Sequence, residues 1–176
     1  MAVHIAVADL ADTEELAAVA ARTFPLACPP SSTPEDIAAF IDANLSAARF
    51  SEYLADPDRV VLTATEDGRI VGYAMLIHET IGDPDVRSAV RARHTVELSK
   101  MYVLPHSRGA GIAAALMDSA VKHADGMAAK SVWLGVNQHN LRAQRFYAKH
   151  GFTINGTRTF RVGAHIENDY VMVRAL

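Results

Sequence analysis

The sequence predicts a mixed α/β (α+β) fold, a mostly antiparallel central sheet of about seven strands flanked by helices. Three observations predict it. Half of the 176 residues are apolar and 21% are charged, the balance of a chain that buries an ample core. Segments of alternating and of helical apolar spacing follow one another in the order β-α-α-β-β-β-α-β-α-β-β. The third of three consecutive strands opens a β-α-β-α unit that leads into a final hairpin, so antiparallel and parallel pairs must mix in one sheet. No internal repeat, low-complexity tract or linker interrupts the chain, and a single domain spanning 1–176 is expected.

Each element has a local reason. "VHIAV" alternates as a first strand, and Asp12 is expected to cap a helix with Glu15 completing a capping box. Leu16, Val19, Ala20 and Phe24 form its apolar stripe, and Pro25 is expected to break it. "CPPSSTP" is a rigid loop, after which Thr33 and Pro34 start a helical region carrying Ile37, Phe40, Ile41 and Leu45 at helical spacing. A continuation through Phe50, Tyr53 and Leu54 ends at Asp56 and Pro57. "RVVLTAT" and "RIVGYAMLIHE" flank Asp67 and Gly68, a hairpin signal. After a polar stretch at 79–93, "HTVELSKMYVL" is a strand, and a glycine turn leads into a helix over about 109–123. "SVWLGV" is a fifth strand, "NLRAQRFYAKH" a short helix stopped by Gly151, and "FTINGTRTF" with "IENDYVMVRAL" the closing pair.

Composition narrows the function classes. A formal net charge of −3 argues against a nucleic-acid binder, which would carry a basic face. The lone Cys28 excludes an internal disulfide framework, and no two of the eight histidines stand at the i, i+4 spacing of a helical metal pair. No metal is expected. With no signal-like start and no apolar run near the ~20 residues that span a bilayer, a cytoplasmic protein without a membrane partner is expected.

The chemistry lies in two segments. Gly109, Gly111 and Ala114 match G-x-G-x-x-A, but Pro105 to Arg108 separate them from the preceding strand, and the repeated β-α-β context of a dinucleotide site is missing. No P-loop motif occurs. An open turn delivering backbone N–H groups at a helix start, with Arg108 beside it, suits a pyrophosphate. In "LGVNQHNLRAQRFYAKHGF", a helix starting near 140 places Asn140, Ala143 and Tyr147 on one face.

Together, V-x-P-x-x-R-G-x-G-I-A and, about 26 residues later, N-x-x-N-x-x-A-x-x-F-Y-x-K-H-G-F resemble the GNAT superfamily of acetyl-CoA-dependent N-acetyltransferases over residues ~60 to 176. Within it the chain looks most like the bacterial Pai-type polyamine (spermidine/spermine) N-acetyltransferases. One position departs: His106 stands where that family has glutamine or arginine.

The resemblance implies splayed fourth and fifth strands with acetyl-CoA as co-substrate between them. It implies pantetheine pairing along the backbone of Met101, Tyr102 and Val103 and a pyrophosphate on Arg108, Gly109, Ala110, Gly111, Ile112 and Ala113. Asn137, Asn140 and Tyr147 complete the cofactor site. Tyr147 would protonate the leaving thiolate, and a backbone N–H near Met101 would stabilise the oxyanion. Alternation along the strand places Glu97 with Ser99, Met101 and Val103, where it is the candidate base for the amine. The acceptor expected is a small-molecule amine, and Glu35, Asp36, Glu79, Asp83, Asp85 and Glu167 offer acid to a polyamine. A protein or peptide N-terminal or lysine acetyltransferase, a non-catalytic acyl-CoA-binding module and a nucleotide-binding oxidoreductase are the alternatives, and a homodimer is compatible with any of them.

Overall fold

The computed structural model describes residues 2–78, 81–109, 111–162 and 164–176, the side chains of 160 and 162 excepted. Seven strands form one sheet in the order β1-β2-β3-β4-β5-β7-β6. They are β1 (His4–Val7), β2 (Arg59–Glu66), β3 (Arg69–Ile77), β4 (Thr95–Val103), β5 (Ser131–Asn137), β6 (Thr153–Val162) and β7 (His165–Ala175). Among the described residues only the β4–β5 pair is parallel. Among the described residues six α-helices flank the sheet: α1 (Thr13–Ala27), α2 (Pro34–Asn44), α3 (Ala47–Ala55), α4 (Pro84–Ala89), α5 (Ile112–Gly126) and α6 (Leu141–Lys149). None of the described helices is long and apolar enough to cross a membrane.

Hydrophobic burial explains the placement. Phe50 of α3 meets Tyr73 of β3 edge-on at 5.6 Å, and Tyr73 meets Tyr102 at 5.8 Å on one face of the sheet. Leu116 and Met117 of α5 are fully buried in the same core. A separate small cluster joins Val86, Ala89 and Val90, at and just after α4, to Trp133 and Val171. The β2–β3 hairpin turns on Asp67 (φ 52) and Gly68 (φ 77), as expected of an Asp-Gly pair.

Several local expectations are corrected. The capping box lies one turn earlier, where Asp9 accepts from Ala11 N and Asp12 from Asp9 N. Asp12 itself has helical backbone (φ −89, ψ −6) and its side chain does not cap α1, because a cap residue needs an extended conformation. Glu15 instead accepts from Ile70 N at 2.9 Å, fastening α1 to β3. Pro25 lies inside the last turn of α1, where a missing N–H forfeits one bond and the helix runs on to Ala27. The region 34–55 is two helices, since Ser46 adopts an extended conformation and caps α3 by accepting from Arg49 N. Helix α4 occupies part of the polar stretch 79–93, capped by Asp83 with Pro84 at its first turn. Helix α5 begins at Ile112 rather than at 109.

One irregularity bears on the site. The β3–β4 register pairs Ile77 with Glu97 and Leu76 with Leu98, but Met75 with Lys100, leaving Ser99 as an extra residue in β4. A bulge shifts the alternation by one. Glu97 therefore shares a face with Lys100 and Tyr102, not with Met101 and Val103 as strict alternation predicts.

Candidate active site

Strands β4 and β5 pair only through Thr95, Val96 and Glu97, opposite Ser131, Val132 and Trp133. Beyond that point they separate, and a cavity of about 520 Å³ occupies the opening. Residues 98–103 of β4 form one wall, and α6 with Gly135 to Asn137 of β5 the other. The C-terminal end of α1, from Phe24 to Pro29, closes one side, and the turn into α5 forms another.

That turn leaves helix donors without a side-chain cap. Gly111 occupies the N-cap of the 15-residue α5 with φ +78, and no side chain caps the helix. Gly109 is likewise left-handed at φ +85. The first-turn N–H groups of α5 thus open on the cavity at the positive end of the helix dipole. Arg108 and Arg142 line the same region, and the charge of Arg142 adds to desolvation in lowering the pKa of Arg108. An anion there would relieve the repulsion between them. His106 is exposed in the short turn Pro105–Ser107 and lies outside the cavity wall.

Asn140 is the N-cap of α6, its Oδ1 accepting from Ala143 N at 3.1 Å. Its carbonyl is therefore spent on the helix, which leaves the amide N–H₂ as the group for a ligand. Asn137 similarly accepts from His139 N at 2.9 Å. Tyr147, two turns along α6 from Asn140, packs against Phe146 at 5.6 Å and Phe152 at 5.9 Å, both edge-on. Burial pushes its phenol up to about 12. The Tyr102 phenol is raised further by burial, with Tyr147, Cys28 and Asp169 adding to the shift.

Eleven of the predicted cofactor residues line this cavity: Met101, Tyr102, Val103, Arg108, Gly109, Gly111, Ile112, Ala113, Asn137, Asn140 and Tyr147. Ala110 lies outside the described residues. Glu97 does not reach this cavity; it lines a second one of about 200 Å³ with Ile77, Ile81, Asp83, Val86, Trp133 and Arg158. Of the acids expected to attract a polyamine, Glu79 is outside the described residues, and Asp83 alone lines either cavity among those described. Glu167 accepts from Ser31 Oγ at 2.6 Å, Asp36 lies 3.7 Å from His165 Nε2, and Asp83 caps α4.

Sequence reasoning missed Asp169 and Arg158. Asp169 is buried, lines the main cavity and stands opposite Arg158 in the β6–β7 register, with Oδ2 3.3 Å from Nε. A hairpin turn placed between Val162 and His165 brings 158 and 169 together by simple counting. The opposite charges at those two positions were the available signal.

Comparison with known proteins agrees with this geometry. Residues 19–152 match the Acetyltransferase (GNAT) family. An N-acetyltransferase of Mycobacterium tuberculosis, itself uncharacterized, is 64% identical over 167 residues, 95% of this chain and 99% of that protein. Among solved structures, the PaiA N-acetyltransferase of Thermoplasma acidophilum in complex with coenzyme A superposes with a TM-score of 0.79 at 20% identity, covering all of both chains. The ribosomal-protein-S18-alanine N-acetyltransferase of Escherichia coli gives 0.69 at 16% identity, over 99% of this chain and 94% of that one. At such identities these two structures speak for the fold.

Proposed function

Because the chain belongs to the acetyltransferase (GNAT) family, we propose that it moves an acetyl group from acetyl-CoA to a primary amine of a small molecule. All 176 residues act as one domain, and the amine attacks directly while both substrates are bound. The observation that carries this reading is the parted β4 and β5 opening onto an uncapped α5 start flanked by Arg108 and Arg142. A strand edge for pantetheine and a positive helix end for pyrophosphate suit coenzyme A in one cavity.

Acetyl-CoA supplies an activated thioester; the chain's own residues do the rest. Gly109, Gly111, Ile112 and Ala113 hold the diphosphate by backbone N–H groups, and Arg108 adds charge-assisted bonds. The amide of Asn140 steadies the pantetheine from the α6 side, and a backbone N–H near Met101 is the donor for charge on the acyl oxygen. As the C–N bond forms and the C–S bond breaks, Glu97 takes the proton of the amine, directly or through water, and Tyr147 gives one to sulfur. A free alkylamine has a pKa of ~10.4, so only about one in a thousand is neutral near pH 7.4 and a base at the acceptor is useful. With Tyr147 at about 12 and a thiol at ~8.5, full proton transfer would be uphill by roughly 5 kcal/mol. The same burial raises the proton affinity of the departing thiolate, which narrows that gap.

The acceptor is tested by following free thiol release from acetyl-CoA across polyamines, amino acids, aminoglycosides and peptides with free N-termini. Release with one amine class supports the reading. Tight acetyl-CoA binding with no release from any class would make the protein an acyl-CoA-binding module instead.

A further inference from the structure

The main cavity passes between β4 and β5 from one face of the sheet to the other. Successive residues of β4 point to opposite faces, and Leu116 of α5 approaches Gly72, the partner of Val103, so α5 covers the Val103 face. Tyr102 points the other way, to the face on which Tyr73 and Phe50 pack and where Cys28 acts on its phenol. The turn into α5 and the end of α1 therefore wall the cavity from opposite sides of the parted strands. With coenzyme A entering along α5, an acceptor meets the thioester from the α1 side.

That side is apolar. Phe24 is buried and stacks on Phe40 at 4.5 Å with the rings 7° apart, which fixes its position. Burial pushes the Cys28 thiol up to about 11, so it stays uncharged and behaves as a small apolar group. Leu26 is 55% exposed and edges the cavity where it opens to solvent, and Ala27 and Pro29 continue the strip.

The charges on the wall are one-sided. Among the described residues that line the cavity, Asp169 is the only acid, and Arg158 already holds it at 3.3 Å. Arg108, Arg142, Lys149 and Lys100 are cations, and the bulge at Ser99 puts Lys100 on the same face as Tyr102. Glu97, which acts on Lys100, opens on the second cavity instead. The Tyr102 hydroxyl has no hydrogen-bond partner among the described residues, although Tyr147, Cys28 and Asp169 of the cavity wall all act on it. Its donor and acceptor capacity is thus open to a ligand.

We infer that the acceptor carries a single amine on an apolar body, as an alkyl or arylalkyl monoamine does, with its nitrogen at the Tyr102 phenol and its body along Phe24, Leu26 and Pro29. A polyamine would press a second ammonium against a strip that offers it no carboxylate, and towards Lys100, whereas an alkyl chain gains from burial there. The Lys100 charge also favours the neutral form of the amine, the form that attacks. That the bound amine is then acetylated rests on the transfer reading above; that it binds does not.

Calorimetric titration of the wild-type protein, with coenzyme A saturating, reads binding without turnover. The ligands are pairs that differ by one terminal ammonium: pentylamine and cadaverine, octylamine and 1,8-diaminooctane, with spermidine alongside. Each monoamine is expected to bind tenfold or more tightly than its diamine and than spermidine. Leu26→Glu, a change at a half-exposed position, should close most of that gap by giving the second ammonium a partner. Tyr102→Phe should weaken both members of a pair alike, because it removes the contact to the nitrogen they share. Equal or tighter binding of a diamine or of spermidine to the wild type, no saturable heat from either monoamine, a gap unchanged in Leu26→Glu, or undiminished binding by Tyr102→Phe would overturn the proposal. The wild-type comparison stands even if a variant fails to fold. The expected preference without thiol release from acetyl-CoA would leave the pocket standing and sink the transfer reading instead.

Discussion

Two arginines line the cavity at the start of α5, and Arg108 is the proposed phosphate ligand. Arg108→Gln is expected to weaken acetyl-CoA binding about tenfold, the low end for a hydrogen bond to a charged group, because the side chain is exposed. Calorimetric titration at rising salt should show the gap between wild type and variant narrowing as screening grows. Lys100 gives a second test. Burial pushes its ammonium down to about 8, with Arg59 adding to the shift and Glu97 opposing it. The unfolded chain holds that proton up to ~10.4 and the folded one only to about 8. Stability therefore rises between those two values, and below both of them the folded state carries the full penalty. Lys100→Met should raise stability at pH 7 by ~1–3 kcal/mol and flatten the rise on the alkaline side, read from denaturant unfolding at several pH values.

Among the elements, the turn into α5 and the bulge in β4 decide the chemistry. Gly111→Ala places a side chain at φ +78, which should cost ~1–2 kcal/mol of stability. It should also weaken acetyl-CoA binding, whereas Gly68→Ala, at a similar φ in the remote β2–β3 turn, should lower stability and spare binding. Thermal melting and calorimetry on the two variants separate these effects. The glycine turn was legible in the sequence because only particular residues tolerate such backbone. The bulge was not. Nothing in "VELSKMYV" marks Ser99 as the extra residue, since the slip is set by pairing with β3, 20 to 30 residues earlier. Alternation alone thus put Glu97 on the wrong face. The α1 cap was misread for a related reason: Asp9 and Asp12 are both competent caps, and their backbone angles choose between them.

For the whole molecule, the order of strands and helices was readable because each hydrophobic period is local, while the meeting of Arg158 with Asp169 depends on how the last hairpin folds back. The described chain encloses its main cavity between β4, β5, α1, α5 and α6, so a ligand that fills it should stabilise the entire fold. Acetyl-CoA at 100 times its Kd should add about 2.7 kcal/mol, or roughly 5–10 °C in Tm for a domain of this size. The most direct test of the account compares Tyr147→Phe with wild type on an accepted amine. The variant keeps the ring contacts to Phe146 and Phe152 and loses only the phenol oxygen. The expected result is a kcat lower by ~10²–10⁴ with the acetyl-CoA Kd nearly unchanged. Since the phenol titrates at about 12, the wild-type kcat should also show no descending limb from this group below about pH 11. Turnover by the variant equal to that of wild type would contradict the role assigned to Tyr147 and, with it, the assignment of this cavity as the place where the thioester is cleaved.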